Sequence, residues 1–408
     1  MRDSWKSLNI GEEINILSGY PFNSKLFNSE KEGKPLIRIR DILNSSIETY
    51  FSGPYSDLFL IKEGDILVGM DGEFHVSKWR NIDALLNQRI LKISQKKGAE
   101  IDIDYFYYFL FNFLKRIHNI TPATTVKHLS TFDIKKAVSS FPPVSHQRKI
   151  AKILNTVDAV IESTETAIAK YKAIKQGMMQ DLFTRGIDPQ TGKLRPTQKE
   201  APRLYKETEL GWIPKEWEVD RLDNLSESYA GGTPNRSIPK YFGGTIPWVS
   251  SGEVNAEFID STKENITALG LNSSSAKLVP PNSVLIAMYG ATAGQVSFLK
   301  IQATTNQAVL AILPNEKLNN IYLFYLLKKL KSKIIYLAQG SGQPNLSKNL
   351  VDKTLVVKPV IEEQEIIASR LKQMDKLIQE EQTNLSKHQS LKKGLMQDLL
   401  TGKVEVEV

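Results

Sequence analysis

Sliding the chain along itself by 217 residues lays Gln147 on Gln364, Ile150 on Ile367, Leu154 on Leu371, Asp158 on Asp375, Ile161 on Ile378, and GMMQDLFT (177–184) on GLMQDLLT (394–401). Between Gln147 and Thr184, 15 of 38 ungapped positions are identical; ordinary residue frequencies give about two by chance. A tandem duplication constrains architecture more than any local propensity, because each copy must find the same fold. A weaker echo runs upstream with drifting offsets: Trp5 with Trp217, PLIRIRDI (35–42) with PWVSSGEV (247–254), KEGDILVGMDG (62–72) with PPNSVLIAMYG (280–290), Asn87-Gln88 with Asn306-Gln307, and YFYYFL (105–110) with YLFYLL (322–327).

The order is therefore globular domain, helix, globular domain, helix. The expected boundaries are 1–142 and 213–357 for the domains, 143–184 and 358–401 for the helices, 185–212 for a polar linker or extended arm, and 402–408 for a tail. Each globular half reads as α+β, mostly β: VLIAMYG, ILVGMDG, ILKI and AVLAIL are short β-rich runs bounded by Gly, Pro and Asn. The Tyr/Phe/Leu clusters at 105–114 and 322–330 have the spacing of one amphipathic helix each. Stacking on bases is conceivable there, and core packing of a buried helix face fits the spacing better.

In the repeated block, Ile150, Leu154, Val157, Ile161, Thr164, Ile168, Tyr171, Lys175, Met178 and Leu182 step alternately by four and three. So do Ile367, Leu371, Met374, Ile378, Glu381, Leu385, His388, Lys392, Leu395 and Leu399. This is the register of a coiled-coil seam. The two stripes either pair with each other, antiparallel because a whole domain lies between them, or pack on their own domains; pairing is the favoured reading. Polar residues recur at matching seam steps (Thr164 and Glu381, Lys175 and Lys392), where they fix register or open the seam to a partner. Pro143 and Pro359 precede the helices, as suits a helix start. Gly177 and Gly394 suggest a close backbone approach or a helix end.

Composition removes whole classes of chemistry. A length of 408 residues allows two or three domains, and 41% hydrophobic with 24% charged residues is ordinary for a globular protein. Cysteine is absent, which excludes disulfides, Cys-ligated zinc, iron–sulfur clusters and a thiol nucleophile. MRDSWKSLNI lacks the apolar core of a signal peptide, and YFYYFLFNFL is too short to span a membrane, so a cytoplasmic protein with no membrane partner is expected. The net charge of +8 and pI near 9.2 favour a polyanionic partner without establishing one.

Catalytic signatures are missing. An adenine amino-methyltransferase needs an Asn/Asp-Pro-Pro-aromatic loop, and FPPV (141–144) and VPPN (279–282) lack both the polar first residue and the aromatic last one. GSGQPNLSK (340–348) has neither the second glycine nor the lysine of a phosphate-binding loop. The five histidines show no metal-ligand spacing, and the acids form no nuclease cluster. No cofactor, metal or catalytic residue is expected; the chain reads as a recogniser of something else.

Taken together, the tandem halves, the helix starts PPVSHQRKIAKIL and KPVIEEQEIIASRL, the helix ends KQGMMQDLFTRGI and KKGLMQDLLTGKV, the lead TELGWIPKEW, and GGTPNRSIPKYFGGTIPWVSSGEVN resemble the specificity subunit of type I restriction-modification systems. The resemblance covers essentially the whole chain. It implies two target-recognition domains held apart by antiparallel spacer helices, with double-stranded DNA, two methyltransferase subunits and motor-nuclease subunits as partners. Two departures stand out: His146 occupies the place of Glu363, and the first half lacks the GGTPNR and GQPNLS elements in recognisable form. The alternatives are a specificity subunit of another restriction or modification class, and a self-sufficient DNA-modifying enzyme.

Polar loop residues beside glycine turns are the candidate DNA contacts: Lys25, Arg38, Arg40, Asp71, Thr124, Thr125, Lys127 and His128 in the first half, and Thr233, Asn235, Arg236, Ser250, Ser251, Tyr289, Gln343 and Asn345 in the second. Amides and guanidinium groups read base edges, while Lys and Thr suit phosphates. Each could equally be a capped turn or a solvated loop. Apolar helix positions off the seam, Ile153, Val160, Ile174, Met179 and Phe183 with Leu377, Leu391, Met396 and Leu400, are candidates for partner docking or for packing on the adjoining domain. A helix of about 40 residues rises about 60 Å, long enough to serve as a ruler between half-sites.

Overall fold

The computed structural model describes residues 4–122, 126–338 and 345–407. Two compact units divide the chain across both long helices: Met1–Glu165 with Thr383–Val408, and Thr166–Gln382. Each unit is α+β and holds one domain, one half of the helix Val144–Leu182 and one half of the helix Ile361–Leu400.

In the first unit, strands Ile14–Ser18, Ile90–Gln95, Ile66–Gly69 and Val76–Lys78 form an antiparallel sheet in that order. A second sheet pairs Lys34–Ile37 parallel to Ala84–Leu86 and antiparallel to Tyr50–Phe51. The second unit repeats the plan. Its sheet Ser228–Ala230, Val309–Ile312, Val284–Ala287, Val296–Leu299 gains Phe258–Ile259 at the edge, and Phe242–Val249 runs parallel to Ala303–Thr305 in the smaller sheet.

The aromatic segments are core helices. Ile103–Ile120 and Asn320–Leu337 start at Asp102 and Asn319, whose side chains accept two backbone N–H bonds each, satisfying donors that a helix start leaves open. Tyr105, Phe106 and Tyr108, like Tyr322, Phe324 and Tyr325, are buried. Each helix start is locked to a long helix by a buried glutamine. Gln147 accepts from the Asp102 N–H (2.8 Å) and donates to the Pro142 carbonyl (2.8 Å); Gln364 does the same with Asn319 and Pro359 (2.8 Å each).

The seam combines both sequence readings. In the first unit Ile150 and Leu154 share one core with Leu399 and the domain helix; in the second Ile367 and Leu371 share one with Leu182. In each unit the start of one long helix thus meets the end of the other, which is the antiparallel pairing, and both also pack on the domain. Of the polar steps, the two lysines pair with acids on the opposite helix. The Tyr108 hydroxyl donates to Asp158 (2.8 Å), and Lys392 lies 2.6 Å from the same carboxylate. In the second unit the Tyr325 hydroxyl donates to Asp375 (2.5 Å), and Lys175 pairs with it. Burial first, then the neighbouring carboxylate, raises both phenols far above their ordinary range. Thr164 is buried and returns its hydroxyl to the Val160 carbonyl (2.8 Å). Gly177 and Gly394 lie inside the helices with open space where a Cβ would project, so no close approach explains them.

Residues 185–212, expected as a linker or arm, are folded onto the second unit. Ile187 is in its core, and Tyr205–Thr208 pairs with Gly211–Pro214 as a hairpin. The anchor is Glu363, almost wholly buried. Arg195 grips both its oxygens (2.5 and 2.9 Å), the Trp217 indole N–H donates to it (3.0 Å), and so does the Ile187 N–H (2.8 Å). Burial works against the Arg195 charge, but the Glu363 carboxylate outweighs it and holds the guanidinium above its ordinary value. Polarity alone suggested a tether because the partner that neutralises Arg195 lies 168 residues away.

Candidate nucleic-acid interface

Corresponding loops converge in the two units. Each buried central strand, Ile66–Gly69 or Val284–Ala287, runs into a turn whose glycine is left-handed: Gly72 at φ 76° and Gly290 at φ 81°. That backbone favours glycine and leaves the preceding side chain, Asp71 or Tyr289, at the loop. The second glycine loop also has a counterpart that sequence comparison missed. Gly231 and Gly232 donate to the Val309 and Thr305 carbonyls (3.1 and 2.8 Å); Gly19 and Tyr20 donate to Ile90 and Leu86 (2.9 Å each). Downstream, Asn235 accepts from the Ser237 N–H (3.0 Å) and Asn23 from the Lys25 N–H (3.1 Å). GYPFNSKL is therefore the first-unit form of GGTPNRSI, recognisable by backbone bonding and by one shared asparagine.

In the first unit, Asp71, Lys127 and His128 are brought together. Gly72 donates to the Lys127 carbonyl (3.1 Å), and Asp71 bridges to His128, whose Nδ1 lies 2.7 Å from the carboxylate. The Lys127 ammonium donates to the His118 carbonyl (2.5 Å) and stays half-buried. Lys25 is exposed on the turn after Asn23. Arg38 is half-buried over the Phe27 ring (5.6 Å), and Arg40 is exposed but paired with Glu48 (3.0 Å). Thr124 and Thr125 lie outside the described residues. Arg89, which sequence reasoning passed over, joins this cluster: its Nε is 3.8 Å from Asp71 and its Nη1 3.3 Å from the His128 Nδ1.

In the second unit, Thr233 donates to the Gln307 side chain, and the Tyr289 hydroxyl donates to the Gln307 carbonyl (2.6 Å). These two candidates therefore meet at one loop. Asn235 caps its turn. Arg236 lies over Phe242 and Trp248 (5.0 and 5.1 Å) and pairs with Glu264 (2.8 Å), whose hydrogen bond raises the guanidinium above its ordinary value. Ser250 is a capping residue: its hydroxyl donates to Glu253 (2.7 Å) at the start of the turn that opens with Ser251. Asn345 is exposed; Gln343 lies outside the described residues.

On the long helices, Val160 and Leu377 are equivalent under the repeat, as are Ile174 and Leu391, and all four are 39–52% exposed. The other docking candidates are corrected to domain packing. Phe183 and Leu400 are buried in the two cores, and Ile153, Met179 and Met396 pack against them. Their helix turns sit beside a domain, which the seven-residue pattern cannot reveal.

Among the described residues no group of three His, Cys, Asp or Glu is placed to hold a metal ion, and no helix is long and apolar enough to cross a membrane. A family model described as the type I restriction modification DNA specificity domain matches residues 2–173 and again 214–387. The type I restriction enzyme EcoBI specificity subunit of Escherichia coli is 29% identical, over 92% of this chain and 80% of its own. A putative type I restriction enzyme MjaX specificity subunit of Methanocaldococcus jannaschii is 28% identical, over 93% and 89%. In fold, the S subunit of a type I restriction-modification system from M. genitalium superposes with a TM-score of 0.62 at 15% identity, covering 99% of this chain and 96% of that one. With both copies of the domain matched and the fold shared end to end, this chain belongs to the type I restriction-modification DNA specificity family.

Proposed function

We propose that this chain is the DNA-recognition subunit of a type I restriction-modification complex, reading a bipartite site with one unit per half-site and contributing no catalysis of its own. The observation that carries this reading is a duplicated frame with dissimilar tips. The loops that converge are the same in both units, while their side chains differ: Asp71, Arg89 and His128 against Tyr289, Ala308 and Asn345. A frame of that kind presents two different hydrogen-bonding surfaces to two different base sequences. Lys25, Arg38, Arg40 and the 124–125 segment in the first unit, with Thr233, Asn235, Arg236, Ser250, Ser251, Gln343 and Asn345 in the second, complete the proposed contacts. The repeated exposed pairs Val160/Leu377 and Ile174/Leu391 suit two copies of one partner, the methyltransferase subunit, with motor-nuclease subunits joining for cleavage in the cytoplasm. The continuous helices, 39 and 40 residues long, would set the unread spacer.

The test exchanges residues 1–142 for the corresponding domain of a relative and sequences the methylated sites of a host that also carries the partner methyltransferase. One half of the target should change and the other persist. A change in both halves, or in neither, would refute one reader per unit.

A further inference from the structure

Arg89 is a non-glycine residue held at φ 71°, a left-handed backbone that costs an L-residue roughly 1 kcal/mol or more. Its place in the second unit is taken by Ala308, which is not among the positive-φ residues. The strain is thus a property of the first unit alone. Next to it, Gln88 donates to the Tyr20 carbonyl (3.0 Å); the bond from Met70 to the Arg89 carbonyl (2.9 Å) is common to both units, Met288 donating in the same way to the Ala308 carbonyl (2.8 Å). The conformation carries the side chain into the cluster of Asp71 and His128, where it is 56% exposed.

The guanidinium lies beside the Asp71 carboxylate without being consumed. His128 Nδ1 sits 2.7 Å from the Asp71 carboxylate, so its proton is donated to Asp71 and no lone pair remains for Arg89. The Asp71 oxygen is 3.8 Å from the Arg89 Nε, close enough to steer the charge and too long for a hydrogen bond. The Nη2 group makes no hydrogen bond to a described residue, and the Nη1–Nη2 end of the fork is left to a ligand. Other candidate cations of the first unit are committed differently: Arg40 to Glu48, Arg38 over Phe27, and Lys127 to a backbone carbonyl.

We propose that Arg89 is a specificity-determining residue of the first unit, whose guanidinium takes the O6/N7 edge of a guanine in the half-site that unit reads. The proposal rests on the DNA-reading assignment above. A planar, two-pronged donor matches the paired acceptors of guanine in the major groove, which no other base presents. Asp71 contributes by drawing the guanidinium charge to this loop, at 3.8 Å from its Nε.

The test uses the full chain co-expressed with its methyltransferase subunit, with the methylated motif and the melting temperature both read. Glycine adopts φ 71° without strain, so Arg89→Gly removes the guanidinium while keeping the loop. It should melt no lower than wild type and lose about ten- to a hundredfold discrimination at one G·C pair of the half-site assigned to residues 1–142. Arg89→Gln should move the preference at that pair towards adenine, whose N6/N7 edge an amide matches, an outcome that a merely structural role does not produce. Retained discrimination at every position in Arg89→Gly, a uniform weakening on all sequences, or a first half-site without a G·C pair would each overturn the proposal. A wild-type complex with no sequence motif would instead bring down the DNA-reading assignment, and the proposal with it.

Discussion

Tyr108, Asp158 and Lys392 in the first unit make the contacts that Tyr325, Asp375 and Lys175 make in the second. Gln147 and Gln364 close the same backbone carbonyls and amides. Yet Asp71, Arg89 and His128 share no residue type with Tyr289, Ala308 and Asn345 at the equivalent loops. Where domain meets helix, the side chains are buried and mutually constrained, so a change at one requires changes at others. At the loop tips these side chains are exposed or half-buried, except the buried Ala308, and only the glycine turn is dictated by the backbone. The molecule separates a shared mechanical part from two independent recognition surfaces.

One buried position breaks the likeness. Glu363 anchors Arg195, Trp217 and the 185–214 segment, whereas its counterpart His146 is half-buried and meets the neighbouring Ser145 hydroxyl (3.4 Å), with no ion pair among the described residues. Glu363→Ala should therefore show the largest loss, about 3–5 kcal/mol, because it strands a buried guanidinium. His146→Ala should stay within about 0.5 kcal/mol. Urea denaturation of the full chain measures both; equal losses would erase the asymmetry.

Removing the phenol hydroxyls sharpens the likeness. Tyr108→Phe and Tyr325→Phe each delete a hydrogen bond to a carboxylate, for about 1.5–3 kcal/mol apiece. Losses that match between the two variants and add in the double variant are expected from equivalent, separate sites. A measurable loss in one alone would show that the repeated geometry is not repeated energetics.

The smallest effect concerns Lys329, which stands where the first unit has Asn112. Burial lowers its ammonium from 10.5 to about 8, with the Phe183 ring 5.7 Å away. The unfolded chain then holds more protons than the folded one between about pH 8 and 10.5, so stability rises with pH across that window. Lys329→Met should raise the melting temperature at pH 7, and the gain should fade as the pH approaches 10.5. Asn112→Met should show no such pH dependence in the same thermal scans.

Much of the frame was legible before any coordinates. The 217-residue repeat, the seven-residue seam and the aromatic helices follow from spacing, and a helix face is a local consequence of 3.6 residues per turn. Asp71, Lys127, His128, Thr233 and Tyr289 could be picked out because glycine turns mark loop ends. Arg89 escaped because nothing in its sequence neighbours announces a positive φ. Asn23 escaped because its equivalence to Asn235 lies in backbone bonds that the differing residues around it conceal. Phe183 and Leu400 were misread because an apolar helix position looks the same whether a partner or the chain's own domain covers it.

The sequence by itself thus determined the duplication, the two helices with their register, and the absence of cysteine chemistry. All three depend on residue identity or on the short-range periodicity of the backbone. Tertiary structure decided that 185–214 is folded rather than free, that the seam lysines have carboxylate partners, and that Arg89 stands with Asp71 and His128. Each of these depends on groups dozens to more than two hundred residues apart in the chain, and hydrogen bonds and ion pairs at such separations are formed by packing, which leaves no trace in spacing.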